Sequence, residues 1–178
     1  GEVHGARTGG PAVSCAVGQA SVGAEDQLVL GHGSAGVIAR VGDIAAEIGG
    51  FEVGDPVVGN PVQSDGDSPW TQKGLSGVDL GTVVGISVDG GFAEYCASHW
   101  YWTVKVPPDM DLDIAASAEQ QSCGLYAVKN LNIEAGQFVT IFVPRPLVLM
   151  MAPLATIYGA GLLLLVGTRA QPPAVATA

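Results

Sequence analysis

Glycine interrupts this sequence every few residues, and its spacing limits the regular structure that the chain can form. The 178 residues include 26 glycines, roughly twice the average share of about 7%, and they follow no three-residue period of the collagen type. In the first two thirds of the chain they separate short apolar runs, which predicts β-strands joined by tight turns and a barrel-like β unit. The predicted strands cover residues 28–30, 37–41, 56–58, 83–86, 91–96 and 103–106.

The charge balance excludes nucleic acid as a partner. The net charge is −10 and the chain has only 7 Lys and Arg residues, whereas proteins that bind phosphate backbones cluster such residues. Hydrophobic residues make up 48% and charged residues 13% of the chain, which is typical of a folded protein. Cys15, Cys96 and Cys123 are widely spaced, so they form no disulfide framework and predict a reducing, cytoplasmic compartment.

After residue 108 the hydrophobic pattern first predicts two helices and then a strand, a helix and a strand in succession. Asp113 is expected to cap a short helix through Ala115 and Ala116, and a second helix is expected over residues 122–131. Apolar runs then predict a β-α-β unit. Its strand, helix and strand cover residues 138–143, 147–158 and 162–166.

The acidic residues locate a boundary between two structural units. All 17 lie between Glu2 and Glu134, so the composition changes near residue 135. Together with the strand and helix patterns, this predicts three segments: a loop remnant, a partial β domain and the start of an α/β domain. Their ranges are 1–26, 27–110 and 111–178.

A membrane anchor is the alternative to the β-α-β unit. Residues 147–166 are uncharged and long enough as a helix to cross a bilayer. Pro153, Gly159 and Gly161 lie inside this run, and each disfavours a continuous helix. The buried β-α-β unit is therefore favoured over a membrane span.

Six sequence phrases, in order along the chain, carry a family resemblance: residues 30–37, 50–59, 90–95, 105–107, 122–128 and 158–161. On these phrases the chain resembles the medium-chain dehydrogenase/reductase family, and within it the zinc-dependent alcohol and polyol dehydrogenases. The resemblance implies a mixed β and α/β fold, with a GroES-like β-barrel portion followed by the first β-α-β unit of a Rossmann fold. It also implies hydride transfer between an alcohol and NAD(P), and it makes this chain the middle of such an enzyme.

The resemblance implies a catalytic zinc site with His32 and Glu119 as the matching ligands and catalytic residues. Zinc takes nitrogen, sulfur or oxygen ligands and keeps one position open for substrate. The position after His32, usually Glu in the family, is Gly33, and the family's first cysteine ligand has no counterpart. The alternative is that His32 and Glu119 are metal-free, with His32 hydrogen-bonded in the cleft.

The family's structural zinc is predicted to be absent. At the spacing of its four cysteines the chain has Asp65, Ser68, Thr71 and Asp79. These oxygen ligands suit calcium or magnesium better than zinc, and a solvated acidic loop is the simpler interpretation. Because the metal normally ties such a lobe together, residues 60–82 are expected to be mobile.

The dinucleotide fingerprint is altered as well. Its three glycines, which let backbone approach the pyrophosphate, correspond to Val143, Arg145 and Val148. The acidic residue that binds the ribose hydroxyls corresponds to Gly167, followed by Thr168 and Arg169. Arg145, Thr168 and Arg169 are therefore the candidate coenzyme contacts, and the arginines favour NADP over NAD.

Three functional hypotheses follow. The first is an alcohol or polyol oxidoreductase, with a small alcohol or polyol as its partner and with homo-oligomer formation compatible with the sequence. The second is a non-catalytic relative that keeps the scaffold. It is favoured for activity in this chain, because the metal and coenzyme motifs depart independently from the family pattern, and we expect the isolated chain neither to reduce NAD(P) with simple alcohols nor to retain stoichiometric zinc. The third is a membrane-anchored β domain.

Overall fold

The chain forms two compact units, Gly1–Glu119 and Gln120–Ala178. A computed structural model describes residues 2–7, 28–64, 66–79, 81–142 and 146–167. The first unit consists mainly of short antiparallel strands, and the second has parallel strands with helices between them. The fold is therefore mixed β and α/β, as the sequence predicts.

An antiparallel sheet in the order β1-β2-β3-β6 organises the first unit. Its strands are β1 (Glu2–Arg7), β2 (Gly33–Val37), β3 (Pro56–Gly59) and β6 (Thr103–Lys105). A second pair joins β4 (Val62–Gln63) to β5 (Thr82–Val83). Within the described ranges these sheets do not close into a barrel. The loop prediction for residues 1–26 is wrong over residues 2–7, because this segment pairs with β2.

Several predicted strands are shorter than expected or irregular. β2 ends at Val37, where a strand was expected to begin, and β5 covers only the start of residues 83–86. Residues 28–30 and 91–96 form no extended strand. Instead, the amides of Gly90, Gly91 and Phe92 donate to the carbonyls of residues 29–31 at 2.7–2.9 Å. The positive φ of Gly31, 114°, breaks the extended backbone there.

Helices α1 (Asp43–Glu47) and α2 (Pro69–Gln72) are short, as are 3₁₀ turns at Ser76–Val78 and Trp100–Trp102. Helix α3 (Leu112–Ala115) is capped by Asp111, whose side chain accepts from the Asp113 amide at 2.7 Å. The predicted cap at Asp113 is therefore wrong: Asp113 already lies in the first turn. Ala115 and Ala116 pack with Ala35 of β2 to form the buried core of this unit.

Helix α4 (Ala118–Asn130) begins four residues before the predicted position. In the second unit β7 (Phe138–Phe142) and β8 (Leu162–Val166) pair in parallel, with Phe138 opposite Leu162. Helices α5 (Pro146–Leu149) and α6 (Met151–Ile157) connect them, so the predicted β-α-β unit is confirmed. In the described part of the chain no helix has the length and apolar character to cross a membrane.

One face of the parallel pair is exposed and apolar. Phe138 and Phe142 of β7 are 56% and 66% exposed, and Leu162 and Leu164 of β8 are 63% and 47% exposed. Side chains two residues apart on a strand share a face, and the register places these four on the same one. Parallel strands are normally covered on both faces, so this face is open among the described residues.

Candidate functional site

His32 lies in the turn that leads into β2, and its ring is fixed on one side. Its Nδ1 atom lies 3.1 Å from the carbonyl oxygen of Val84. A carbonyl only accepts, so Nδ1 must carry a proton and donate. If the imidazole is neutral, the Nε2 atom then carries a lone pair that is available to a ligand.

Two glycines in the backbone behind His32, Gly31 and Gly85, allow this placement. A Cβ atom on Gly31 would lie 2.6 Å from the Phe92 amide nitrogen, and one on Gly85 would lie 2.6 Å from the Gly31 carbonyl carbon. Both residues also have positive φ, 114° and 73°, which disfavours any side chain. The backbone behind His32 is thus packed against backbone, with no room for side chains.

Gly33, where the resembled family has Glu, also sits in a close approach. A Cβ atom there would lie 3.0 Å from the carbonyl oxygen of Ala116. Glycine at this position lets β2 lie close to the end of α3. Glycine at residue 33 therefore avoids a tight contact with the Ala116 carbonyl.

Glu119, in the first turn of α4, faces the open side of the His32 ring. Its Oε1 atom lies 3.9 Å from His32 Nε2, and the two side chains are 25% and 15% exposed, respectively. With a neutral imidazole this geometry presents two ligand atoms to a common point. With a protonated imidazole it is an ion pair. The structure thus brings together the two residues that the sequence selects.

A third ligand is not found within the described ranges. No group of three or more His, Cys, Asp and Glu residues there is close enough to hold a metal ion. The chemistry of His32 and Glu119, one imidazole nitrogen and one carboxylate oxygen, fits zinc as two of its ligands. The remaining protein ligands of such a site would come from outside the described residues.

The predicted coenzyme contacts Arg145, Thr168 and Arg169 lie outside the described residues, as does Val143. Val148, the third position that replaces a fingerprint glycine, lies in α5 and is half-buried. Gly167 directly follows β8. These coenzyme contacts therefore stay predictions.

The segment between β4 and β5 contains a hydrogen-bonded group that spacing alone only partly predicts. We name Ser64, Ser68, Thr71 and Asp79 the Asp79 cluster. The Asp79 Oδ2 atom accepts from Ser64 Oγ and from Thr71 Oγ1, both at 2.8 Å. Hydrogen bonds from Ser68, Thr71 and Ser64, in that order of importance, lower the pKa of Asp79 below its ordinary value. Asp65 lies outside the described residues.

Ser64 was missed by sequence reasoning because it is not at a cysteine position of the resembled lobe. It is 7% exposed, and its carbonyl oxygen accepts from the Trp102 indole nitrogen at 3.2 Å. A serine that follows a short strand belongs to no sequence motif, so the sequence alone does not mark Ser64 as part of a site. Only the folded backbone brings it to Asp79, fifteen residues away.

Residues 9–108 match the model of the alcohol dehydrogenase GroES-like domain. The chain is 29% identical to sorbitol dehydrogenase of Bacillus subtilis, a match that covers 77% of this chain and 38% of that protein. It is 28% identical to D-xylulose reductase of Saccharomyces cerevisiae, over 76% of this chain and 38% of the relative. The chain thus spans less than half the length of these curated relatives.

A solved structure shows the same fold. It is that of a provisionally assigned zinc-binding dehydrogenase from Sinorhizobium meliloti 1021 bound to NADP, which superposes with a TM-score of 0.86 at 26% identity. The superposition covers 95% of this chain and 48% of that protein. The described fold therefore corresponds to about half of that dehydrogenase.

Proposed function

This chain belongs to the alcohol dehydrogenase GroES-like domain family, and we propose that it is part of an oxidoreductase that moves a hydride between a small alcohol or polyol and NAD(P). The observation that carries the proposal is the convergence of His32 Nε2 and Glu119 Oε1 at 3.9 Å. The similarity to sorbitol dehydrogenase and D-xylulose reductase supports the substrate class.

His32 and Glu119 would hold the zinc ion of such an enzyme. Zinc–nitrogen and zinc–oxygen bonds measure about 2.0–2.2 Å, so two atoms 3.9 Å apart reach one ion after a small side-chain movement. When bound, zinc polarises the substrate oxygen as a Lewis acid.

The surroundings of His32 support its role as a ligand. The Val84 carbonyl fixes the ring orientation and selects the tautomer that leaves Nε2 without a proton. Such a hydrogen bond to the second ring nitrogen is typical of metal-bound histidines. Glu119 adds a negative charge next to the site, which favours a cation there over a neutral ligand.

For the coenzyme, we propose that Arg145, Thr168 and Arg169 contact a phosphate-bearing nucleotide. Two cationic guanidinium groups suit the 2′-phosphate of NADP. The similar dehydrogenase from S. meliloti contains NADP, which supports this preference. In the same proposal residues 27–110 form the partial GroES-like domain and residues 111–178 begin the Rossmann domain.

Zinc titration followed by NMR tests the metal proposal on the chain itself. The ring signals of His32 should shift saturably with added Zn²⁺, and Glu119→Gln should weaken the apparent affinity by about tenfold or more. His99 provides the matched control, because it caps the turn at Trp100–Trp102 and is not part of the proposed site. If His32 does not respond, or responds equally in Glu119→Gln, the proposed site is wrong.

A second candidate function is that of a non-catalytic relative, and the sequence after β7 favours it. No glycine occurs between Phe142 and Leu149, so all three glycine positions of the fingerprint carry residues with side chains. Titration with NADPH, followed by its fluorescence, separates the candidates. Saturable micromolar binding supports the oxidoreductase. Absence of NADPH binding together with absence of zinc binding supports the non-catalytic relative.

A further inference from the structure

The segment between β4 and β5 is tied together by one carboxylate. Asp79 receives hydrogen bonds from Ser64, at the end of β4, and from Thr71, in α2. The Ser64 and Thr71 hydroxyl oxygens also contact each other. Because each hydroxyl has a single proton, neither donates to the other while both donate to Asp79. The cluster therefore joins three parts of the segment that are up to fifteen residues apart in sequence.

Ser68 connects the cluster to the start of α2. Its hydroxyl oxygen accepts from the amides of Trp70 and Thr71, both at 3.2 Å, and the same hydroxyl makes the largest contribution to lowering the pKa of Asp79. One side chain thus caps the helix and helps to stabilise the charged form of Asp79.

These residues do not fit the structural zinc that the family resemblance implies. Ser68, Thr71 and Asp79 stand at three of the four cysteine positions. Structural zinc sites are built from thiolates and imidazoles, and neutral hydroxyls do not replace them. Moreover, the Asp79 Oδ2 atom already accepts from the hydroxyls of Ser64 and Thr71, so this carboxylate oxygen is satisfied without a metal ion.

We propose that the Asp79 cluster takes the place of the structural metal, so that this segment keeps its folded form without any metal ion. Hydrogen bonds to an ionised carboxylate are about twice as strong as bonds between neutral groups. The Ser64 and Thr71 hydroxyls, which both donate to one carboxylate oxygen, can therefore supply the tie that a metal supplies elsewhere. The inference is independent of the proposed function, because it does not involve His32 or Glu119.

The charge on Asp79 is stabilised by hydroxyl groups and not by a cation. Its pKa is lowered by hydrogen bonds from Ser68, Thr71 and Ser64, and only burial opposes them. Lys73, at the end of α2, lies over the Trp70 ring, 5.8 Å from its centroid. His99 lines the neighbouring cleft together with Ser64 and Thr71, and neither basic group contributes to the Asp79 shift.

Limited trypsin digestion of the full chain measures the order of this segment. Lys73 is the only Lys or Arg between residues 60 and 82, so cleavage of the Lys73–Gly74 bond reports local opening. Cleavage after Lys129, in α4 of the second unit, is the internal reference. Proteolysis of a transiently opened segment follows the population of its open form.

We expect neither EDTA nor added Zn²⁺ to change the Lys73–Gly74 cleavage rate of the wild-type chain. Asp79→Asn should accelerate this cleavage at least about threefold, since the amide retains the shape but loses the charged acceptor. Thr71→Val, which removes one donor, should accelerate it less. Asp109→Asn, at an exposed carboxylate of the same unit, is the matched control and should match wild type.

The outcome is decisive in each direction. Acceleration by EDTA in the wild-type chain overturns the proposal, because it would reveal a metal in this segment. Wild-type rates in both Asp79→Asn and Thr71→Val also overturn it. If Asp79→Asn opens the whole chain, cleavage after Lys129 rises as well, and Thr71→Val then decides.

Discussion

A Cβ atom on Gly90 would lie 2.5 Å from the carbonyl oxygen of Gly31, so these two residues meet backbone to backbone directly behind His32. Gly31 also accepts from the Gly91 amide at 2.9 Å. The position of the His32 ring therefore depends on residues nearly sixty positions away in sequence. Any side chain on this side of the site moves the backbone that carries the ring.

Gly90→Ala should destabilise the first unit by about 1–3 kcal/mol, the usual cost of an overpacked site. Thermal unfolding measures this, and the His32 ring signals in NMR should shift at the same time. Gly77→Ala is the matched control, because a Cβ at Gly77 meets nothing within 4 Å. Equal stability of the two variants would contradict the close approach at Gly90.

The Asp79 cluster should lose stability in acid. The pKa of Asp79 is lower in the folded chain, so its contribution is complete above the ordinary aspartate pKa, about 3.9, and is lost as the pH falls through the lowered value. Trypsin is inactive there, so hydrogen exchange of the Thr71 amide provides the measurement. Protection that stays constant from pH 5 to pH 2 in wild type, or that falls equally in Asp79→Asn, would contradict this prediction.

Lys105→Met should raise the pKa of Asp55 toward its ordinary value. The Lys105 Nζ atom lies 2.6 Å from Asp55 Oδ2, and this bond is the main cause of the lowered Asp55 pKa. The Glu52 amide, 2.7 Å from the same oxygen, should keep the pKa partly lowered. A carboxyl-carbon NMR titration measures the change, and Lys129→Met should leave Asp55 unaffected.

Gly124→Ala should stabilise the chain by about 0.5–1 kcal/mol, since alanine is the better helix former. Gly124 lies inside α4, and a Cβ there would make ordinary contacts with Met151 at 3.4 Å and Leu154 at 3.6 Å. Gly136→Ala is the matched comparison and should destabilise, because Gly136 has φ 84°. Thermal unfolding of both variants tests the pair, and a loss of stability in Gly124→Ala would show that the α4–α6 contact has no room for a methyl group.

Continuous apolar runs were the most informative sequence signal for the fold. Residues 138–142 and 162–166 are strands, as predicted, because an uninterrupted apolar run of this length suits a parallel strand. Residues 28–30 and 91–96 are not strands. Gly31, with φ 114°, breaks the extended backbone after residue 30, and residues 90–92 pair irregularly with residues 29–31. Strand length in a glycine-rich chain depends on tertiary pairing, which the local sequence does not specify.

The candidate site was predicted in part. His32 and Glu119 were selected by their motif positions, and the structure places them 3.9 Å apart. The role of Val84 could not be predicted, because a backbone carbonyl carries no residue-specific signal. Ser64 could not be predicted either, because only the fold brings it to Asp79, fifteen residues away.

The exposed apolar face of the β7–β8 pair has a consequence for the solution behaviour of the chain, namely self-association. Two phenylalanines and two leucines are exposed on this face, and such a surface favours association. Among the described residues the outer edges of both strands are also unpaired, which adds hydrogen-bonding groups. We therefore expect the chain to associate through this face at high concentration. Phe142→Lys places a charge on this face and should reduce the association.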